Sequence, residues 1–157
     1  MKLISSSYQD NQSVPVKYAN IGVPGGQNIS PQFSWSGIPG GVKSFALAII
    51  DIHPIASNWV HWIFINVPSN ITSVEENCSN KSGMPAGSIE LTNSFGQKGY
   101  GGPQPPQGSG KHGYVATVYA LDIEKVKLSG HTSERNLLKE IKSHILDKAA
   151  LTGFFSR

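Results

Sequence analysis

The chain has 157 residues, a formal net charge of +3 and only 15% charged residues. That length fits one domain, able to bury roughly 68–70% of its unfolded surface without help from a metal or a disulfide. Its lysines are scattered and Arg135 and Arg157 are its only arginines, which argues against a nucleic-acid surface, and no run of about 18 apolar residues offers a membrane span.

The N-terminal stretch MKLISSSYQD has no apolar core of the kind a secretory leader carries. Residues 1–40 are polar and punctuated by Pro15, Pro24, Pro31 and Pro39, a pattern of short strands and turns. Phe45–Asp51 (FALAIID) is a buried-strand candidate, short and apolar between Gly40-Gly41 and Pro54. Trp59–Val67 (WVHWIFINV) is the clearest second strand. Strict alternation would put His61, Ile63, Ile65 and Val67 on one face and Val60, Trp62, Phe64 and Asn66 on the other. Both faces are largely apolar, as in a central strand. A short helix is expected within Asn70–Asn80. Cys78, the only cysteine, excludes an intrachain disulfide and suits a reducing, cytoplasmic location. It reads as structural rather than reactive.

Tyr114–Leu121 (YVATVYAL) is the third strand. A late helix follows, capped by Thr132 or Ser133, with Glu134 in its first turn. Leu137, Leu138, Ile141 and Ile145, with Leu146 beside them, form its apolar stripe, and Gly153 is its expected stop. Strands dominate and the helices are peripheral, so the fold expected is a mainly β, antiparallel β-sandwich in a single domain spanning 1–157.

The segment Asn93–Tyr114, NSFGQKGYGGPQPPQGSGKHGY, is dense in Gly and Pro and delivers His112 and Tyr114 to the start of the third strand. Gly permits close approach to the main chain, and Pro stiffens the path. Such a loop can wall a small polar pocket. His61, alone on an aromatic strand, is either a satisfied core residue or a ligand. His112 carries the same two readings. Imidazoles donate to phosphate oxygens as well as to carboxylates. Asp51 can orient one of them, and Tyr114 adds a phenolic donor two residues beyond His112 on the same face. Together they suggest a pocket for a small anion.

This segment resembles the signature of the phosphatidylethanolamine-binding protein family, the Raf kinase inhibitor-like proteins, in its bacterial and archaeal form. NISPQFSWSGIPGGVKSF (28–45) and DIHPIASNWVHWIFINVP (51–68) are similar to the family's N-terminal segment and its W-x-H-W strand, and ALTGFFSR to the end of a C-terminal helix in bacterial members. The resemblance implies antiparallel sheets with Greek-key connections. It also implies a small anion-binding cavity lined at Asp51, His61, Pro106, His112 and Tyr114, with Gly102 and Pro105 in its wall. Trp59 would cover the mouth while Trp62 packs in the core. Where the family usually reads D-P-D-A-P, this chain reads Asp51-Ile52-His53-Pro54-Ile55. His53 therefore either joins the rim or sits on the surface, and the bond before Pro54 is open to the cis or trans form.

The function expected is non-enzymatic binding of a phosphate-bearing group, a phospholipid headgroup or phosphorylated ligand, with no cofactor and no metal. The resemblance also implies a homodimer, and a regulatory protein-interaction module, a kinase or protease inhibitor, is the alternative. Asp51, His53, His61 and His112 superficially offer the set a metal-dependent enzyme would use, but no compact ligand motif accompanies them. Serine hydrolase chemistry lacks its G-x-S-x-G elbow, and Ser109 sits in a Gly-Ser-Gly of ordinary loop composition.

Overall fold

The computed structural model describes residues 1–157. In chain order its strands are β1 (Lys2–Ile4), β2 (Gln12–Ser13), β3 (Phe33–Ser36), β4 (Ser44–Asp51), β5 (Trp59–Pro68), β6 (Ser73–Val74), β7 (Ile89–Glu90), β8 (His112–Leu121) and β9 (Ile145–Phe155), with one α-helix, α1 (Glu134–Ile141). They form a six-stranded sheet in the order β2-β9-β8-β4-β5-β7 and a three-stranded sheet in the order β1-β3-β6. All pairs are antiparallel except β2 with β9. The expected mainly β architecture is present.

Alternation along β4 shows how the layers are held. Phe45, Leu47 and Ile49 join a core with Leu3, Phe33 and Trp35 from the small sheet. Ala46, Ala48 and Ile50 point the other way and pack with Leu137 and Ile141 of α1. The central sheet is thus buried on both faces, by a sheet on one side and a helix on the other. Each large apolar side chain fully buried in this way stabilises the fold by about 1.5–3 kcal/mol.

β5 departs from strict alternation. Ile49 pairs with Trp62 and Ile50 with Val60, so His61 is an extra residue with no partner across the ladder. At this bulge the side chains of His61 and Trp62 share the face of Ile49 instead of alternating. A second irregularity lies at Asn66, whose φ of 62° is left-handed, between the pairs Phe45–Val67 and Leu47–Phe64. The two-face division expected for this strand holds for Trp62 with Phe64 and for Ile63 with Ile65, and fails at the two irregularities. Val60 packs with Ile63 and Ile65, His61 turns to the side of Trp62, and Val67 packs with Trp62 and Phe64.

Two further expectations, the helix within residues 70–80 and the long late helix, are corrected, and the bond left open before Pro54 is assigned. Residues 70–80 contain β6 and turns rather than a helix. The bond before Pro54 is trans, since no cis peptide occurs. The helix after residue 133 spans only Glu134–Ile141, capped by the Ser133 hydroxyl, which accepts from Asn136 N at 3.2 Å. Residues 145–155 are a strand, not its continuation, so Gly153 is no helix stop. Ala149, Ala150 and Leu151 favour helix locally. The long free edge of β8 offers them ladder bonds along His112–Leu121, and tertiary pairing prevails. Gly153 sits where a Cβ would lie 2.5 Å from Val14 Cγ2.

Candidate functional site

The sheet brings the expected residues together at one end. Asp51 closes β4 and is directly opposite Tyr114 on β8. The period of two then places His112 on the same face. His61 joins them from β5 through the bulge. They line a cleft of about 410 Å³ with Ile55, Ala56, Trp59, Phe95, Gln104, Pro105, Pro106 and Arg157. Asp51, His61, His112 and Tyr114 are each at most 4% exposed, so solvent reaches only their edges.

Hydrogen bonds fix both histidines. His112 Nδ1 donates to Asp51 Oδ2 at 2.7 Å, and its Nε2 lies 3.0 Å from Ser109 Oγ. The second Asp51 oxygen accepts from the backbone N–H of His53 at 2.9 Å. A buried acid needs its charge answered, and here two donors answer it. His61 Nδ1 donates to the Gly101 carbonyl at 2.5 Å, while Gly101 N–H returns a bond of 2.8 Å to the His61 carbonyl. Burial pushes the His61 imidazole down to about 4, against the opposing pull of the Gly101 carbonyl. The ring is therefore neutral at pH 7, with a bare lone pair at Nε2. The Tyr114 hydroxyl is buried without a well-formed hydrogen bond, beside the Asp51 carboxylate. Burial, and then the Asp51 charge, hold it protonated far above its usual range.

The loop is ordered by side chains within it. Buried Asn93 accepts from Phe95 N at 2.9 Å and Gln97 N at 3.2 Å, and donates to the Gly99 carbonyl at 2.8 Å. Gly102 N–H donates to Asn28 Oδ1 at 2.7 Å. A Cβ at residue 102 would sit 2.2 Å from the Tyr18 carbonyl oxygen. Gly102 thus straps the wall to residues 18–28 and does not itself face the cleft.

His53 does not join the rim either. Its ring stacks behind His112, and its Nδ1 is buried without a partner. Trp59 stands at the mouth, 38% exposed, edge-on to Phe95, while Trp62 is wholly buried and donates to Glu90 Oε1 at 2.7 Å. No three His, Cys, Asp or Glu side chains gather so as to hold a metal ion. Cys78 is buried, its thiol pushed up to about 11 by desolvation, as befits a structural residue.

Sequence reasoning missed Ser109, Phe95, Gln104 and Arg157. Ser109 precedes His112 by three residues, a spacing that a loop-to-strand reading could have flagged. Arg157 had no signal, because β9 alone carries it to the cleft. No helix is long and apolar enough to cross a membrane.

The chain matches the family model "Phosphatidylethanolamine-binding protein" over residues 4–156. It is 36% identical to a UPF0098 protein of Methanothermobacter thermautotrophicus over 157 residues, covering 100% of this chain and 99% of the relative. It is 35% identical to the UPF0098 protein YbhB of Escherichia coli over 159 residues, covering 99% and 100%. Its structure is similar to the crystal structure of E. coli YbcL, described as a new member of the mammalian PEBP family, with a TM-score of 0.92 and 28% identity over 99% of this chain and 98% of that one. The bulged His61 strand, the Asn93-pinned loop and the Asp51–His112 pair therefore lie within a single matched unit, and the chain belongs to the phosphatidylethanolamine-binding protein family.

Proposed function

We propose that this protein binds a small phosphate-bearing group, such as a phospholipid headgroup or a phosphorylated ligand, in the cleft between β5, β8 and the Gly/Pro loop. The observation that carries this reading is the Tyr114 hydroxyl, a protonated donor buried beside the Asp51 carboxylate without a well-formed hydrogen bond, on a ring that lines the cleft. An orphan donor costs about 1–3 kcal/mol, which an anionic oxygen would repay. Arg157 supplies a permanent positive charge to the same cleft. His61 Nε2, an acceptor in the neutral ring, suits a phosphate that keeps one P–OH. Binding by itself needs no chemical step at these residues. The family's name supports a phosphate-bearing ligand, and the family resemblance supports pairing as a homodimer, which sedimentation tests.

The experiment is a titration of inorganic phosphate and of phosphorylethanolamine into isotopically labelled protein, following the His61 and His112 ring resonances. Saturable shifts at His61 are expected. If phosphorylethanolamine alone acts, the ethanolamine moiety is recognised as well. No perturbation by either anion at millimolar concentration sinks the reading.

A further inference from the structure

The hydrogen bonds of Asp51 and His112 continue to a third group. Asp51 Oδ2 lies 2.7 Å from His112 Nδ1, and His112 Nε2 lies 3.0 Å from Ser109 Oγ. The carboxylate and imidazole are almost sealed from solvent, with side chains 5% and 1% exposed. Ser109 is half-buried at the loop's outer turn. A buried acid, an imidazole whose orientation it sets, and a reachable hydroxyl stand in line. This is the arrangement by which a base activates a nucleophile.

We propose that Ser109 is a nucleophile toward small carboxylic esters, with His112 as its base and Asp51 as the residue that positions His112. This is independent of the anion reading. The Ser109 hydroxyl has two acceptors for its one proton, His112 Nε2 at 3.0 Å and the Pro106 carbonyl at 2.6 Å. Turning the proton from Pro106 to His112 arms the oxygen without moving a heavy atom. Ser109 is not itself a lining residue of the cleft, but Pro106 and His112, the two residues its hydroxyl bonds to, are, and the cleft's Ile55, Trp59, Phe95 and Pro105 surfaces can receive an acyl group. Gly110, next after the nucleophile, is left-handed with φ of 91°, and its N–H enters no turn or loop hydrogen bond. An N–H directly after the nucleophile is a common donor to the oxyanion.

The chemistry balances with water as the co-reactant. Ser109 Oγ attacks the ester carbonyl carbon, its proton passes to His112 Nε2, and the carbonyl π electrons move to oxygen. Collapse of the tetrahedral adduct breaks the bond to the alcohol, which leaves with the proton from His112. Water, deprotonated by His112, then attacks the acyl-Ser109 ester. The carboxylic acid departs and Ser109 recovers its proton.

The test uses p-nitrophenyl acetate with the full chain. Expected are a burst of nitrophenolate stoichiometric with protein, one acetyl group mapped to Ser109 by mass spectrometry, and an esterase rate at least about 100-fold above that of Ser109→Ala. Ser109→Cys should take the acetyl group as a thioester. Asp51→Asn should slow acetylation, and Asp51→Glu should restore part of it, which lost packing would not explain. Acetyl found only on lysines, or a rate unchanged in Ser109→Ala, overturns the proposal. Ser109 lies in a half-exposed loop, so Ser109→Ala should melt like the parent protein. Phosphate titration of that variant reads the anion site separately, so failure of either proposal is visible without the other.

Discussion

The His53 ring lies flat against the His112 ring, with centroids 3.9 Å apart and planes 15° from parallel. Asp51 creates this relationship. One of its oxygens accepts from the His53 backbone and the other from His112 Nδ1. Folding back on a residue two further along is the usual habit of Asp in a turn. It carries His53 behind His112, away from the cleft. Aromatic pairs add about 0.5–1.5 kcal/mol beyond area burial. His53→Ala should therefore cost about 1 kcal/mol in urea unfolding, and His53→Phe clearly less. Equal costs for the two variants would show that the stack contributes nothing.

Tyr114→Phe separates binding from folding. Replacing a buried tyrosine whose hydroxyl is well hydrogen-bonded costs stability, but here the hydroxyl only stands beside the Asp51 carboxylate and makes no well-formed bond. The variant without ligand should be as stable as the parent, or up to about 1 kcal/mol more stable. Its affinity for phosphate should fall about tenfold, the equivalent of one hydrogen bond. A stability loss without an affinity loss would mean that the hydroxyl serves the fold.

His61 makes stability depend on pH. Its folded-state value, about 4, lies below the ordinary 6.5. Between these values the unfolded chain takes up a proton that the folded one refuses. The contribution is therefore fully present above pH 6.5 and is lost as pH falls toward 4. The loss from this residue should be on the order of 3 kcal/mol, and His61→Gln should flatten the curve across that window. Denaturant midpoints measured at half-unit intervals check this. A His61 ring that titrates near 6.5 by NMR would contradict it.

Gly102→Ala should damage the cleft wall. Its Cβ would meet backbone atoms, Tyr18 O at 2.2 Å and Asn20 N at 2.7 Å, which cannot rotate away. Overpacking of this kind costs about 1–3 kcal/mol. The bond from residue 102 N–H to Asn28 should lengthen, and amide exchange should quicken there. Gly108→Ala has open space around its Cβ and serves as the comparison, although its left-handed φ of 75° carries some strain. Equal structural damage in the two would discount the close approach at residue 102.

Much of this molecule is visible in its amino acids alone. The apolar runs at 45–51, 59–67 and 114–121 mark three central strands because burial on both faces leaves an unbroken hydrophobic signature. Asp51, His112 and Tyr114 could be grouped in advance, because a period of two places 112 and 114 on one face. Other features depend on contacts between distant segments. The bulge that turns His61 toward Tyr114 arises from a mismatch between β4 and β5, and neither strand encodes it in isolation. Residues 145–155 have helical composition and become β9 only because β8 presents an open edge. That pairing delivers Arg157 to the cleft. The Ser109–His112 and His53–Asp51 hydrogen bonds are local, whereas the Asp51–His112 bond and the stacking of His53 on His112, which takes His53 off the rim, join β4 and its following turn to β8. Local propensity differs between conformations by tenths of a kcal/mol per residue, whereas completing a buried sheet satisfies a whole row of backbone donors and acceptors, so long-range pairing overrides local preference.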